Sequence, residues 1–250
     1  MNPATGPTHR DGPLAFVDDL AHPVLDPDDH HHLARVLRVR DGEPMVVGDG
    51  RGGWRTARFG EIPSDLGEIQ IVPVSGVRLT VAFSLIKGDR PELIVEKLTE
   101  LGIDEIVPFT SDHSVVRWDA KRAARQGERL ERIARGASMQ CRRTHLPQIA
   151  PLTTFAELAR SRPAALLADA DGDRLTDASF ASFVAKQQPA SRAVAVLIGP
   201  EGGWSDGERA AARSVVRIGD HILRAETAAI AAGALLAAVR ANAADVSPGG

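Results

Sequence analysis

A strand-helix-strand pattern in the middle of the chain places the strongest constraint on its fold. Residues 77–86 read VRLTVAFSLI, in which apolar residues alternate with smaller or polar ones, as in a β-strand. The next segment has Pro91 at a helix start and Gly102 at a helix end, and IDEIVPF after it is typical of a second strand. Two strands joined this way run parallel, so we predict an α/β fold with a parallel sheet and helices on its faces.

Three later segments extend this pattern. AALLADA (164–170), RAVAVLIG (192–199) and SVVRIGDHILR (214–224) are predicted to supply further strands. The Ala-rich stretch 228–241 is predicted to form the final helix. Its surface is apolar nearly all round, so we expect it to pack on several sides, including against a second subunit.

The first part of the chain has a different character. Candidate strands at 44–47, 54–59 and 68–74 are separated by GDGRGG and PSDLG, which favours a small barrel of short strands after a short helix near residues 33–37. Gly48, Gly50 and Gly53 match a dinucleotide-binding spacing, but the sequence after them predicts a strand, so a hairpin turn is preferred. The composition changes near residue 75, and we predict domains at 1–75 and 76–250.

Composition narrows the function classes. The chain is 43% hydrophobic and 25% charged, and its longest apolar run is too short and too rich in Gly and Ala to span a bilayer. Cys141 is the only cysteine, which excludes an intrachain disulfide and a multi-cysteine zinc site and fits a reducing compartment. We therefore expect a cytoplasmic protein without a membrane partner.

Two patterns that resemble metal sites fail on spacing. His30, His31 and His32 are contiguous and cannot converge on one ion. The acidic residues of DADGDR resemble the start of a calcium loop, but Arg174 and Phe180 stand where glycine and glutamate are required. We expect no metal site.

Positive charge is concentrated in one segment. Residues 117–143 carry nine basic and three acidic residues, a net charge of +6, which leaves −9 for the rest of a chain with net charge −3. Such a segment is typical of a protein with a polyanionic partner. A solvated helix with internal ion pairs, such as Glu128 with Arg132, explains it equally well.

The sequence IGPEGGWSDGE (198–208) is the best candidate for a ligand loop. An apolar run puts Gly199 at the carboxyl end of a strand, and Ser205 with Glu208 forms a capping box that starts a helix. Loops at this edge of a parallel sheet bind ligands in open α/β folds. Glu201 disfavours an anion, so a neutral or cationic ligand fits better, although a tight turn would also need these glycines.

A second segment, IGDHILRAETAAIAAG, repeats the arrangement from Ile218 onward. A strand is followed by a turn at Gly219 and then by Ile222, Leu223, Arg224 and Thr227 at the start of a helix. Two such loops at one sheet edge can meet around a flat ligand.

Several segments in order, KGDRPELIVEKLTELGIDEIVPF, QCRRTHLP, LIGPEGGWSDGE and IGDHILRAETAA, together with HHLARVLRVRDGE near the start, resemble the RsmE-type 16S rRNA uracil-N3 methyltransferases of the SPOUT superfamily. The resemblance spans roughly residues 30 to 240. It implies a PUA-like β-barrel for RNA binding at the N-terminus and a SPOUT methyltransferase domain with a deep trefoil knot. It also implies S-adenosylmethionine as cofactor, a homodimer, and methylation of N3 of a specific uridine in 16S rRNA of the small ribosomal subunit.

The resemblance also implies roles for single residues. Cofactor contacts are expected from the residues Gly199, Glu201, Gly202, Gly203, Ile218, Gly219, Ile222, Leu223, Arg224 and Thr227. Arg224 is expected to stabilise negative charge on the uracil or to hold the target phosphate, unless it pairs with Glu226. Glu201 and Glu226 are both candidates for the proton acceptor, and either can instead make structural hydrogen bonds. The family commonly has Gly-Pro-Arg where this chain has Gly219, Asp220 and His221, which leaves the role of that arginine open.

RNA contacts are expected from basic residues in three segments, namely Arg35, Arg38, Lys87, Arg90, Arg142 and Arg143. Only 4% of the residues are aromatic, which favours phosphate and shape recognition over base stacking. Two other functions remain open. One is a SPOUT methyltransferase for tRNA or 23S rRNA, and the other is a non-catalytic ribosome-assembly factor.

Overall fold

The computed structural model describes residues 6–162, 164–174 and 193–245, and the chain separates into two compact units. The first consists of Met1–Ser75 and Arg135–Leu146, and the second of Gly76–Ala134 and Pro147–Gly250. The assignment of residues 135–146 to the first unit was not visible in the sequence.

The first unit is built on a small sheet. Its elements are a 3₁₀ turn His9–Asp11, β1 Leu14–Phe16, α1 Pro27–His31 with a π-turn His32–Val36, β2 Pro44–Gly48, β3 Gly53–Arg58 and β4 Gln70–Ile71. The strand order is β1-β2-β3-β4, in which β1 pairs parallel to β2 and the other pairs are antiparallel. The hairpin predicted at the glycine-rich turn is confirmed by the β2–β3 pairing. Strand β1 was not predicted.

Arg135 explains why a later segment belongs to this unit. Its guanidinium donates to the carbonyl of Phe16 at 3.1 Å, lies over the Phe16 ring, and forms an ion pair with Asp29. Met139 packs against the buried apolar residues of the same unit, among them Met45. These contacts join segments more than 100 residues apart in the chain.

The second unit contains the predicted parallel sheet. Its elements are β5 Arg78–Ser84, α2 Arg90–Glu100, β6 Glu105–Thr110, α3 Ala120–Cys141 (whose last residues belong to the first unit), β7 Gln148–Ile149, β8 Thr153–Thr154, α4 Phe155–Ser161, β9 Leu166–Arg174, β10 Ala193–Ile198, α5 Asp206–Ala211, β11 Ser214–Arg217 and α6 Ala225–Asp245. The strand order is β11-β9-β10-β5-β6-β7, and β8 also pairs with β6. Every strand pair in this sheet is parallel.

Both faces of this sheet are buried. In β5, Leu79, Val81 and Phe83 belong to one apolar cluster, which includes residues of α2 and α6, whereas Ala82 belongs to a second cluster with Trp204. Strands covered on both faces are a general property of parallel sheets with helical crossovers.

The sheet order brings the end of β10 next to β9 and β11. Strand β9 lies between β10 and β11, and its Ala168 pairs with Ile198 at the end of β10, whereas its last residue Arg174 pairs with Arg217 at the end of β11. A Cβ at Gly172 of β9 would lie 2.6 Å from the carbonyl carbon of Val216, so only glycine permits this approach to β11. The register of the pair shifts between Val215 and Val216.

No helix in the described part of the chain has the length and apolar character needed to cross a membrane.

Glu208 offers a test of how α5 is held. Its carboxylate is 4% exposed and accepts from the amides of Asp112 and Ser205 and from the hydroxyl of Ser111. Removing a buried acceptor leaves these donors unsatisfied, so Glu208→Ala should lower the free energy of unfolding by about 1 to 3 kcal/mol in a urea titration.

Glu157 is the matched control, because it closes the same kind of capping box, with Thr154, on the exposed start of α4. Water can replace the carboxylate there, and Glu157→Ala should cost clearly less. Equal losses for the two variants would show that burial of Glu208 contributes nothing.

Candidate functional site

A cleft of about 420 Å³ opens where β10 and β11 end, beside residues 168–170 of β9. Three segments line it: Ala168–Ala170 of β9, the loop after β10, and the segment from the end of β11 into α6. We call it the strand-end cleft, and its lining residues are Ala168, Asp169, Ala170, Ile198, Gly199, Pro200, Glu201, Gly203, Trp204, Arg217, Ile218, Gly219, His221, Ile222, Leu223, Arg224, Ala225 and Ala228. This is the edge of a parallel sheet at which ligands bind in open α/β folds.

Gly199 is required because of Trp204. A Cβ at residue 199 would lie 2.8 Å from Cε2 of the indole, closer than real contacts allow. The indole is 9% exposed, donates through Nε1 to the carbonyl of Ala168 at 2.8 Å, and stacks on Phe109 with ring centroids 6.0 Å apart. The loop after β10 is therefore fixed to β9 and to the core by one side chain.

The other glycines of the loop have separate roles. The amide of Gly203 donates to the carbonyl of Pro200 at 3.0 Å, which closes a turn, and Gly203 has φ +72°. A Cβ at Gly202 would lie 3.2 Å from Cβ of His113, so Gly202 is directed away from the cleft lining. The tight-turn interpretation and the ligand-loop interpretation are thus compatible.

The predicted capping box at the start of α5 is confirmed. Ser205 accepts from the amide of Glu208 at 3.2 Å, and Glu208 accepts from the amide of Ser205 at 2.9 Å. The Ser205 hydroxyl also donates to Asp112 at 2.6 Å. These bonds fix the point at which the loop ends.

The second loop also lines the cleft. Gly219 packs against Leu223, because a Cβ at residue 219 would lie 3.5 Å from Cδ1 of that leucine. Asp220 forms an exposed ion pair with Arg174 of β9, with the closest N···O distance at 2.9 Å. Ile222 is 89% exposed although it borders the cleft, and His221 is exposed beside it.

Arg90 lies between the two candidate proton acceptors. Its Nη1 is 3.2 Å from Oε1 of Glu201 and 3.7 Å from Oε2 of Glu226. Glu226 does not line the cleft, and its Oε2 is buried without a hydrogen bond among the described residues. Among the described residues, Arg224 makes no ion pair. The alternative in which Arg224 pairs with Glu226 is therefore not observed. Arg217 also lines the cleft, with its Nε buried and without a hydrogen bond there.

The sequence analysis missed the contribution of β9. Ala168, Asp169 and Ala170 line the cleft, and Asp169 is held by an ion pair with Arg209 at 2.9 Å. The available signal was an acidic residue after the apolar run AALL, in a third predicted strand of the same sheet. In the sequence, this residue fits only the calcium-loop pattern rejected above.

Eight of the ten residues expected to contact a cofactor line one cleft. The two others are Gly202, which faces His113, and Thr227, which is exposed on α6.

The residues expected to contact RNA have different environments. In the first unit, Arg35 and Arg38 are exposed, and Arg142 donates to the carbonyl of Gly12, while Arg143 is half-buried. In the second unit, Lys87 is exposed. Arg90, also in the second unit, is paired with Glu201 as described above.

The described residues contain no group of three or more His, Cys, Asp or Glu side chains arranged to hold a metal ion. Phe180, used above to judge the calcium-loop pattern, lies outside the described residues.

Comparison with known proteins gives a family match for each of two consecutive parts of the chain. Residues 73–237 match a family described as an RNA methyltransferase domain, and residues 25–72 match an RNA methyltransferase PUA domain. The protein named ribosomal RNA small subunit methyltransferase E from Mycobacterium bovis is 31% identical over 242 residues, which cover 88% of each chain. The protein of the same name from Synechocystis is 33% identical and covers 79% of this chain and 67% of its own.

Solved structures show the same relationship. A ribosomal RNA small subunit methyltransferase E from Neisseria gonorrhoeae, bound to S-adenosyl methionine, is 26% identical with a TM-score of 0.73 over 91% of this chain and 97% of its own. A methyltransferase from Legionella pneumophila in complex with SAM is 25% identical with a TM-score of 0.77 over 90% and 96%. The chain therefore belongs to the ribosomal RNA small subunit methyltransferase E family.

Proposed function

We propose that the protein transfers a methyl group from S-adenosylmethionine to N3 of a uridine in 16S rRNA of the small ribosomal subunit. One observation carries this proposal, namely that the two loops with the family's motifs line a single cleft at the strand ends. Relatives that match most of the chain are named ribosomal RNA small subunit methyltransferase E, and two solved relatives hold the cofactor.

The lining of the strand-end cleft fits this cofactor. Apolar side chains of Ile198, Ile218 and Leu223 offer walls for an adenine ring, and the backbone at Gly199 and Gly219 can approach it closely. The carboxylate of Glu201 suits a ligand with a positive centre. The bound cofactor supplies an electrophilic methyl group.

The residues of the cleft also fit the acceptor. Loss of the N3 proton leaves negative charge on the uracil oxygens, and Arg224, exposed at the cleft and free of ion pairs among the described residues, is placed to stabilise it. Glu201 is the better candidate for the proton acceptor, because it lines the cleft and Glu226 does not. Arg90 then holds Glu201 in position. None of these steps requires a metal ion.

Recognition of the RNA is assigned to both domains predicted at 1–75 and 76–250. The first carries the match to a PUA domain and exposes Arg35 and Arg38. The second exposes Lys87.

A homodimer is part of the proposal. One side of α6 is exposed or half-exposed and carries almost only alanine, at Ala231, Ala234, Ala238 and Ala241. The exposed Ile222 precedes the same helix. Burial of this side against a second copy would remove apolar surface from water.

A methylation assay tests the function. The purified protein is incubated with labelled S-adenosylmethionine and 30S subunits that lack the family's uridine methylation, and the labelled nucleoside is identified by mass spectrometry. We expect 3-methyluridine in 16S rRNA, and Arg224→Gln should lower kcat by roughly 100-fold, the loss typical of one electrostatic donor. The affinity of the Arg224→Gln variant for S-adenosylmethionine should fall by a much smaller factor than kcat.

The same assay with 50S subunits and tRNA separates the alternatives. Transfer to either of them in place of the 30S subunit would change the substrate, and cofactor binding without any transfer would indicate an assembly factor.

Gly199→Ala tests the cofactor site. The added Cβ would displace the indole of Trp204 and open the contact between the loop and β9, so the affinity for S-adenosylmethionine should fall by roughly tenfold, about 1.4 kcal/mol. Isothermal titration calorimetry measures the change. Gly207→Ala is the control, because a Cβ there would have its nearest neighbour at 3.9 Å, and its affinity should match the unmodified protein. Full affinity in the Gly199 variant would contradict the proposed site.

Light scattering tests the dimer. At micromolar concentration the protein should have twice the chain mass of 26.6 kDa, and Ala234→Glu, which places a charge on the exposed side of α6, should give the monomer mass. A monomeric unmodified protein would refute the dimer.

A further inference from the structure

A second pocket, of about 470 Å³, lies beside the turn that precedes α2. It is lined by residues 86–92 apart from Arg90, by residues 115–118, and by the side of α3 that carries Arg122, Gln126 and Arg129. We call it the Trp118 pocket. No residue expected to bind the cofactor lines it.

The pocket contains excess positive charge. Arg129 is neutralised by Glu92, with an N···O distance of 2.8 Å. The side chains of Lys87, Arg117 and Arg122 have neither an ion pair nor a hydrogen bond among the described residues, and Lys87 and Arg117 are exposed. Three unpaired cations around one pocket attract an anionic ligand.

Two further side chains narrow the chemical class of the ligand. Trp118 is half-buried in the pocket wall, in a chain with only 4% aromatic residues, and offers an indole on which a base can stack. Asp89 also lines the pocket, and its side chain does not cap α2. A free carboxylate repels a simple anion but accepts from an amino group or a ribose hydroxyl. Phosphate, base and hydroxyl together describe a ribonucleotide.

The turn beside this pocket also contacts the strand-end cleft. Lys87 and Asp89 line the Trp118 pocket, and Arg90, next in the chain, reaches Glu201 of the cleft at 3.2 Å. A strand whose target base occupies the cleft can therefore place a nearby nucleotide in the pocket.

We propose that the Trp118 pocket binds one nucleotide of the rRNA strand that flanks the target uridine. Lys87, Arg117 and Arg122 contact its phosphates, and Trp118 stacks on its base. The inference rests on the proposed function, since it takes rRNA as the substrate. It adds a site that sets which sequence or shape next to the uridine is accepted.

Equilibrium binding tests the site without requiring turnover. The dissociation constant for 30S subunits and for deproteinised 16S rRNA is measured at several salt concentrations, using Arg117→Gln with Arg122→Gln. We expect at least tenfold weaker binding to both RNAs, and a salt slope smaller by about 1.5, because two phosphate contacts are lost. Cofactor affinity should remain unchanged.

The matched control is Lys121→Gln with Arg125→Gln. It removes the same charge from neighbouring exposed positions of α3 that do not line the pocket. Only the long-range attraction is reduced, so the loss should be at most about threefold. Trp118→Leu should weaken binding without changing the salt slope, because it removes stacking and no charge.

The outcomes separate the two proposals. Equal losses in the pocket pair and the control pair would overturn the Trp118 pocket, whatever the methylation assay shows. A loss confined to 30S subunits, with deproteinised rRNA unaffected, would also overturn it and indicate an acidic ribosomal protein as partner. Selective loss in the pocket pair together with no methyl transfer by the unmodified protein would keep the pocket and reject the proposed function.

Discussion

The buried indole of Trp204 is the contact on which the strand-end cleft depends. It fills the space beside Gly199, donates to the carbonyl of Ala168, and stacks on Phe109 in the core of the second unit. A single side chain thereby connects the loop after β10 to the neighbouring strand β9 and to the sheet. Gly199 lines the cleft and also leaves room for the Trp204 indole. The glycine is therefore needed for packing as much as for access of a ligand.

Local patterns predicted what local forces determine. The alternation of apolar residues in 77–86 predicted strand β5, and Pro91 and Gly102 predicted the limits of helix α2. The capping box at Ser205 predicted the start of α5. Features that depend on residues distant in sequence were missed, among them the third cleft wall from β9 and the ion pairs of Arg90, which join residues more than 100 positions apart. The knot implied by the resemblance stays a prediction, because periodicity carries no information about chain threading.

Arg90 changes the interpretation of the acidic residues at the site. The sequence offered it as an RNA contact and offered Glu201 and Glu226 as alternative proton acceptors. In the structure, the guanidinium is near both carboxylates, so it compensates negative charge that would otherwise accumulate beside the cleft. RNA contact in this region is consequently better assigned to the unpaired cations of the Trp118 pocket than to Arg90, whose charge is already used within the protein.

The departure from the family at residues 219–221 has a structural counterpart. Asp220, at the position where the resemblance implies proline, forms an exposed ion pair with Arg174 of β9. His221 replaces the usual arginine, yet the cleft keeps two guanidinium groups, because Arg217 and Arg224 both line it. The proposed stabilisation of a deprotonated uracil therefore does not depend on that arginine. Arg224 is exposed while the Nε of Arg217 is buried, and for this reason we propose Arg224, and not Arg217, as the residue that meets an incoming RNA strand.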